Sequence, residues 1–170
     1  MTLRIARPSD ASSLAAISIE VWLGTYIRRG VNAFFADFAL SEFTTEKFSA
    51  LLDDPKEHFI VSENEDGLDG FTRITADSPA PVEGCFPTEI STLYVQPRHH
   101  GKGIGKALLD AALDHARTTG SPTIWLTTNS ENTPAIGFYL ARGFEKVGTT
   151  HFRIQDAAYL NDVFRSPRAG

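Results

Sequence analysis

The segment Gln96-Pro97-Arg98-His99-His100-Gly101-Lys102-Gly103-Ile104-Gly105-Lys106 puts three glycines and the cations Arg98, Lys102 and Lys106 where a strand pattern gives way to a helix pattern. The helix that follows has an apolar face at Ile104, Ala107, Leu108, Ala111 and Ala112, and no acid before Asp110. A helix N-terminus carries about +0.5 charge and favours acids by roughly 0.3–1 kcal/mol each. Cations there, in a chain of net charge −5, are electrostatically misplaced unless an anion binds. Glycines let the backbone come close to that anion, and the first helical N–H groups point at it. Phosphate or pyrophosphate is the natural ligand. The loop is not a Walker A motif, which fails at His100 and Ala107. A dinucleotide fingerprint starting at Gly101 fails at Lys106.

A second segment, Asn132-Thr133-Pro134-Ala135-Ile136-Gly137-Phe138-Tyr139-Leu140-Ala141-Arg142-Gly143-Phe144, reads as a short helix over Thr133 to Arg142. Thr133 suits the N-cap, Pro134 the first helical position and Gly143 the left-handed turn that closes it. Gly137 lies inside the helix at a cost of about 1 kcal/mol against Ala, which suggests close approach of a neighbour or ligand. Tyr139 gives the helix a hydroxyl. A tyrosine of this kind is also often just a core residue.

The pattern His100-Gly101-Lys102-Gly103-Ile104-Gly105 resembles the (Arg/Gln)-x-x-Gly-x-(Gly/Ala) loop of the GNAT N-acetyltransferase superfamily, with His100 where the family usually has Arg or Gln. The second segment resembles that family's Asn-x-x-Ala-x-x-x-Tyr-x-x-x-Gly-Phe element. The resemblance implies that His100, Gly101, Lys102, Gly103, Ile104, Gly105 and Lys106 hold the pyrophosphate of acetyl-CoA, chiefly through backbone N–H groups. It implies that Asn132 contacts the same cofactor, that Tyr139 sits near its sulfur, and that Leu93, Tyr94 and Val95 run beside the pantetheine. A backbone N–H near Tyr94 or Val95 would serve the oxyanion. Glu89, at the start of the strand that feeds the loop, resembles the family's general base and would act directly or through a water. An alkyl amine has a pKa of about 10 and must lose a proton before it attacks.

The implied function is N-acetyl transfer from acetyl-CoA to a primary amine of a small molecule, by direct attack in a ternary complex. The segments Val21-Trp22-Leu23-Gly24-Thr25-Tyr26 and Asn161-Asp162-Val163-Phe164 are loosely similar to a bacterial branch that includes polyamine acetyltransferases. Trp22 and Tyr26, with Glu89, are the candidate acceptor-binding residues, since aromatic faces hold cationic amines. The alternatives are a protein N-terminal or lysine acetyltransferase, and a non-catalytic acyl-CoA sensor.

Positioning these residues requires an α/β fold. The pattern predicts a strand at Leu3 to Ala6 and a helix at Ala11 to Leu23 that Asp10 caps. A further helix is expected over Leu40 to Leu52, capped at Thr44 or Thr45. A strand through Phe59-Ile60-Val61 turns at Asn64-Glu65-Asp66-Gly67 into a second strand through Phe71 and Thr75. After a Pro-rich loop at 77–87 come a strand at Glu89 to Val95, a helix over 101–117, a strand at Thr123 to Thr128 and the short helix. Strands at Glu145 to Arg153 and Ala158 to Phe164 end the pattern. The family resemblance implies a mixed, mostly antiparallel sheet of six to seven strands flanked by about four helices. Residues 1–170 are expected to form one domain, with 165–170 frayed.

With 170 residues, 42% hydrophobic and 22% charged, the composition excludes collagen, extended disorder and a coiled coil. No run reaches the ~18 apolar residues of a membrane helix. The 21 acids against 16 bases disfavour nucleic acid and anionic membranes as partners. The lone Cys85 and the absence of a leader-like N-terminus suggest the cytoplasm. His99 and His100 are adjacent, which is not ligand spacing, so no metal is expected. The chain is expected to be a monomer or homodimer.

Overall fold

A computed structural model of the protein describes residues 1–168. The elements run β1 (Thr2–Ile5), α1 (Ala11–Tyr26), α2 (Ala33–Glu42), α3 (Thr45–Asp53), β2 (Glu57–Asn64), β3 (Gly67–Thr75) and β4 (Glu89–Val95). They continue with α4 (Ile104–Thr118), β5 (Trp125–Asn129), α5 (Thr133–Leu140), β6 (Glu145–Ile154) and β7 (Ala157–Arg165). One seven-stranded sheet has the order β1-β2-β3-β4-β5-β7-β6. The pairs β1/β2, β5/β7 and β6/β7 are antiparallel and β4/β5 is parallel. The expected mixed, mostly antiparallel sheet is present, with five α-helices among the described residues.

By contacts the chain divides into two compact units. The first comprises Met1–Ile74 with Thr92–Ala112, the second Thr75–Ser91 with the chain from Leu113 onward. In the first unit α1 turns Ala11, Leu14, Ala15, Ile17 and Val21 onto one face, against Phe48 of α3, Phe59 and Val61 of β2, and Phe71 of β3. An aromatic series crosses this core, with ring centroids 6.2 Å apart for Phe48–Phe59, 6.1 Å for Phe59–Phe71 and 5.8 Å for Phe71–Tyr94. It anchors Tyr94 of β4 from below. On β3, a Cβ at Gly70 would stand 2.8 Å from the Tyr94 carbonyl oxygen, with Leu108 and Ile104 of α4 at 3.2 and 3.3 Å. The missing side chain is what lets the first turns of α4 lie close on the strand.

Two expectations change. The helix expected over Leu40 to Leu52 is two helices. Residue Phe43 ends α2 and Thr44 caps α3, its Oγ1 accepting from the Lys47 N–H at 3.2 Å. A cap residue needs extended backbone, so a helix cannot run through it. Asp10 stands at the N-cap of α1 without capping it. Its carboxylate instead accepts from Arg4 Nη1 at 2.8 Å, Arg4 Nη2 at 3.0 Å and the Arg7 N–H at 2.7 Å. Arg4 also reaches Glu63 of β2 at 3.0 Å, so one guanidinium ties β1, β2 and the entry to α1.

In the second unit Ile124, Trp125, Leu126, Tyr139, Phe144, Val163 and Phe164 are buried. Fraying is expected over 165–170, but Arg165 and Ser166 are held in place. Arg165 closes β7, donates to the Gly84 carbonyl at 2.8 Å and pairs with Glu145. Ser166 is 3% exposed, and its N–H donates to the Ile124 carbonyl while its Oγ accepts from the Ile124 N–H. Residues 169–170 lie outside the described residues.

The Arg4 pair holds the Asp10 carboxyl below its usual range, with its own burial opposing and the Arg7 N–H assisting. A carboxyl whose folded-state pKa is depressed stabilises the fold above its unfolded value of about 3.9, and that stabilisation is lost as the pH falls through the folded value. Asp10→Ala is expected to lower stability at pH 7 by about 2 kcal/mol. In urea unfolding the gap from the wild type should narrow below about pH 4; an equal gap at pH 3 and pH 7 would contradict this role.

Candidate functional site

In the first unit, β4 leads into a 3-10 turn at Pro97–His99 and then into α4. The exit of β4 is held by two bonds of Gln96: its N–H donates to the Asp69 carbonyl at 2.9 Å and its Nε2 to Glu20 of α1 at 2.9 Å. Gly101 and Gly103 have φ of +80° and +82°, and nothing lies within 4 Å of a Cβ placed on either. The backbone at these glycines is therefore open, in a conformation that other residues adopt only with strain. The first ladder bond of α4 runs from the Ala107 N–H to the Gly103 carbonyl at 3.0 Å. By helix geometry, the N–H groups of Ile104, Gly105 and Lys106 have no partner within α4. The first turn holds no acid. These features fit an anion such as phosphate.

Side chains play a smaller part here. Ile104 is buried and seats the helix, so only its N–H is available to a ligand. His100 Nε2 lies 3.0 Å from the Val95 carbonyl oxygen, so it must carry the proton and donate back to β4. Lys102 Nζ lies 3.0 Å from His99 Nδ1, which must accept because an ammonium has only donors. Lys106 pairs with Asp110 at 3.0 Å on the surface of α4.

Leu93, Tyr94 and Val95 are half-buried, although β4 lies inside the sheet. Strand β4 meets β5 in the single parallel register pair Glu89↔Trp125. Below the far part of β4 lies a cavity of about 80 Å³, lined by Ser18, Glu42, Arg73, Thr92 and Tyr94 among others. No sequence motif pointed to it, because its wall comes from three helices and two strands. Of the two aromatic residues expected at the acceptor, Trp22 is the buried one. Its ring is 6% exposed and packed against Tyr26, Phe35, Phe38 and Phe43 at 4.9–6.4 Å. Tyr26 is 41% exposed.

In the second unit, Glu89 opens β4 half-buried, and the Ser78 hydroxyl donates to its Oε1 at 2.9 Å. Ser78 carried no sequence signal beyond its place in a Pro-rich loop. Asn132, not Thr133, caps α5, accepting from the Ala135 N–H at 3.3 Å through Oδ1. Its Nδ2 group is a donor only. Gly143, at φ +84°, ends the helix as expected, and the Phe144 N–H donates to the Tyr139 carbonyl. Tyr139 is 8% exposed, its ring 5.5 Å from Phe144 and 6.3 Å from Phe164, so it is a core residue whatever else it does. Apart from its chain neighbours and the backbone of its own helix, Gly137 has no described atom within 4 Å of a Cβ placed on it, so no packed neighbour accounts for it. A larger cavity of about 290 Å³ beside the C-terminal end of α4 contains none of these residues. Among the described residues no group of three His, Cys, Asp or Glu could hold a metal ion, and no helix is long and apolar enough to cross a membrane.

Residues 27–144 match the family model described as the acetyltransferase (GNAT) family. The chain is 30% identical to streptothricin acetyltransferase of Streptomyces lavendulae, over 85% of this chain and 82% of that one. It is 30% identical to the N-alpha-acetyltransferase RimI of Mycobacterium tuberculosis, over 65% of this chain and 67% of that one. In fold it resembles a PaiA N-acetyltransferase from Thermoplasma acidophilum, solved in complex with coenzyme A, with a TM-score of 0.77 and 20% identity. That match covers 98% of this chain and 99% of the other.

The open space at Gly137 yields a stability test. Ala in place of Gly inside a helix is worth about 1 kcal/mol when nothing obstructs its methyl group. Gly137→Ala is therefore expected to raise the melting temperature by roughly 2–4 °C. A fall would mean that the backbone of α5 is constrained at this point.

Proposed function

Because residues 27–144 match its model, the chain belongs to the acetyltransferase (GNAT) family, and we propose that it moves an acetyl group from acetyl-CoA to the primary amine of a small molecule. One observation carries the cofactor half of this reading. The open backbone at Gly101 and Gly103 precedes a helix start whose first N–H groups have no partner within the helix, with flanking cations and no acid in the first turn. Residues 1–170 act in this reading as one acetyltransferase domain, working as a monomer or homodimer in the cytoplasm.

Bound acetyl-CoA supplies an activated thioester carbonyl that an amine can attack. The chain's own residues do the rest. The N–H groups from Gly101 to Lys106 bind the pyrophosphate, with Lys102 and Lys106 adding charge. The backbone of Leu93, Tyr94 and Val95 would align the pantetheine arm, and an N–H near Tyr94 or Val95 would serve the oxyanion. The Asn132 amide, with Oδ1 occupied by the helix cap, donates to the cofactor through Nδ2. Glu89 takes the proton of the incoming amine, and the Tyr139 hydroxyl hydrogen-bonds the departing sulfur. Transfer is direct. Burial pushes the Cys85 thiol up, away from the thiolate form that a covalent relay would need.

Similarity to a streptothricin acetyltransferase and the exposed Tyr26 support a small-molecule amine, a polyamine among the candidates. The relative RimI favours a second reading, acetylation of a protein N-terminus. Free-thiol release from acetyl-CoA separates the two. Spermidine, spermine and other small amines should stimulate release, and peptides with a free N-terminus should not. Stimulation by the peptides alone would replace the first reading by the second, and silence across the panel would leave a non-catalytic acyl-CoA sensor. For the leaving group, Tyr139→Phe keeps the buried ring and removes only the hydroxyl. It should lower kcat by about tenfold or more with little change in the Kd for acetyl-CoA. Unchanged kcat would take Tyr139 out of the chemistry.

A further inference from the structure

We infer that Ser78 is a positioning residue for Glu89, an inference that rests on reading Glu89 as the proton acceptor. Every polar group of Ser78 is engaged. Its N–H donates to the Pro87 carbonyl at 2.9 Å. Its carbonyl accepts from the Trp125 indole N–H at 2.9 Å. Its hydroxyl donates to Glu89 Oε1 at 2.9 Å. The residue before it, Asp77, has φ +51°, in the left-handed region that few residues other than glycine, asparagine and aspartate adopt. Trp125 also stands opposite Glu89 in the β4/β5 register, and its N–H donates to the Thr88 carbonyl at 3.0 Å. The indole thus fixes Ser78 while the Trp125 backbone fixes the strand that carries Glu89.

The consequence is chemical. A glutamate side chain on a half-buried strand end has three rotatable bonds, and proton transfer needs one oxygen aimed at the amine or at a bridging water. A donor on Oε1 occupies that oxygen and selects the rotamer, which leaves Oε2 as the basic oxygen. The loop at 76–88, a connector without regular structure, thereby takes part in orienting the carboxylate.

The test is a double-mutant cycle with wild type, S78A, S78T, E89Q and S78A/E89Q. Thiol release is measured with acetyl-CoA and the panel amine that the wild type turns over fastest. S78A is expected to lower kcat by about tenfold, with the KM for acetyl-CoA unchanged. S78T, which restores a hydroxyl, should recover most of that loss. In the E89Q background, S78A should cost nothing further. Urea unfolding of the same proteins without cofactor gives a second readout, in which the midpoint shifts of S78A and E89Q should not add. Wild-type kcat in S78A, or an equal loss with and without Glu89, overturns the positioning role alone, provided E89Q is slow. Wild-type kcat in E89Q, or no amine-dependent release by the wild type, overturns the reading of Glu89 and the role of Ser78 with it.

Discussion

The close seat of α4 on β3 is the constraint on which the first unit's candidate site depends. A helix can present its first N–H groups to a ligand only if its axis is held, and here the hold is at Gly70. Any side chain there would meet the Tyr94 carbonyl and the Ile104 and Leu108 side chains. Ile104, Leu108, Leu109 and Ala112 are all buried, so the apolar face of α4 is fully used in docking. What remains at its start is backbone, two glycines with positive φ, and cations that the helix dipole by itself disfavours. The same packing that orders the helix leaves its N-terminus open and electropositive.

The strand feeding this loop is steadied from the other side. The aromatic series from Phe48 through Phe59 and Phe71 ends on Tyr94, and Gln96 is tied to both Asp69 and Glu20. His100 returns a hydrogen bond to Val95. The turn between strand and helix is thus fixed at its entry, its middle and its exit. The His100 side chain is thus engaged within the loop itself. Further toward the N-terminus, the Arg4–Asp10–Glu63 cluster locks the start of α1 to the sheet edge.

Residues with two duties mark where sequence and structure part. Tyr139 was legible as a family-motif hydroxyl, and its ring is also a core element against Phe144 and Phe164. Trp22 and Tyr26 sit four apart on one helix, yet one is buried and the other exposed. Only the fold of α2 beneath them, with Phe35 and Phe38 facing Trp22, separates the two. Asn132 was legible as polar and near a helix start. That it caps α5 in place of Thr133 follows from the loop after β5, where Asn129 accepts from the N–H groups of Glu131 and Asn132.

What the sequence determined by itself was local. Periodicity placed most strands and helices, because three or four consecutive turns or alternations carry their own signal. The cations and glycines of the 101–105 loop stood out against a helix start that by itself favours acids, because dipole and charge act within one turn. Gly143 announced the end of α5 for the same reason. What only the tertiary structure decided were contacts between distant positions. The bonds that hold Arg165 and Ser166 belong here, as does the set that joins Ser78 to Glu89 and to Trp125, 47 residues away. Such contacts leave no periodicity and no motif. They exist because packing supplied by the rest of the chain brings the Ser78 hydroxyl within 3 Å of the Glu89 carboxylate and the Trp125 indole N–H within 3 Å of the Ser78 carbonyl.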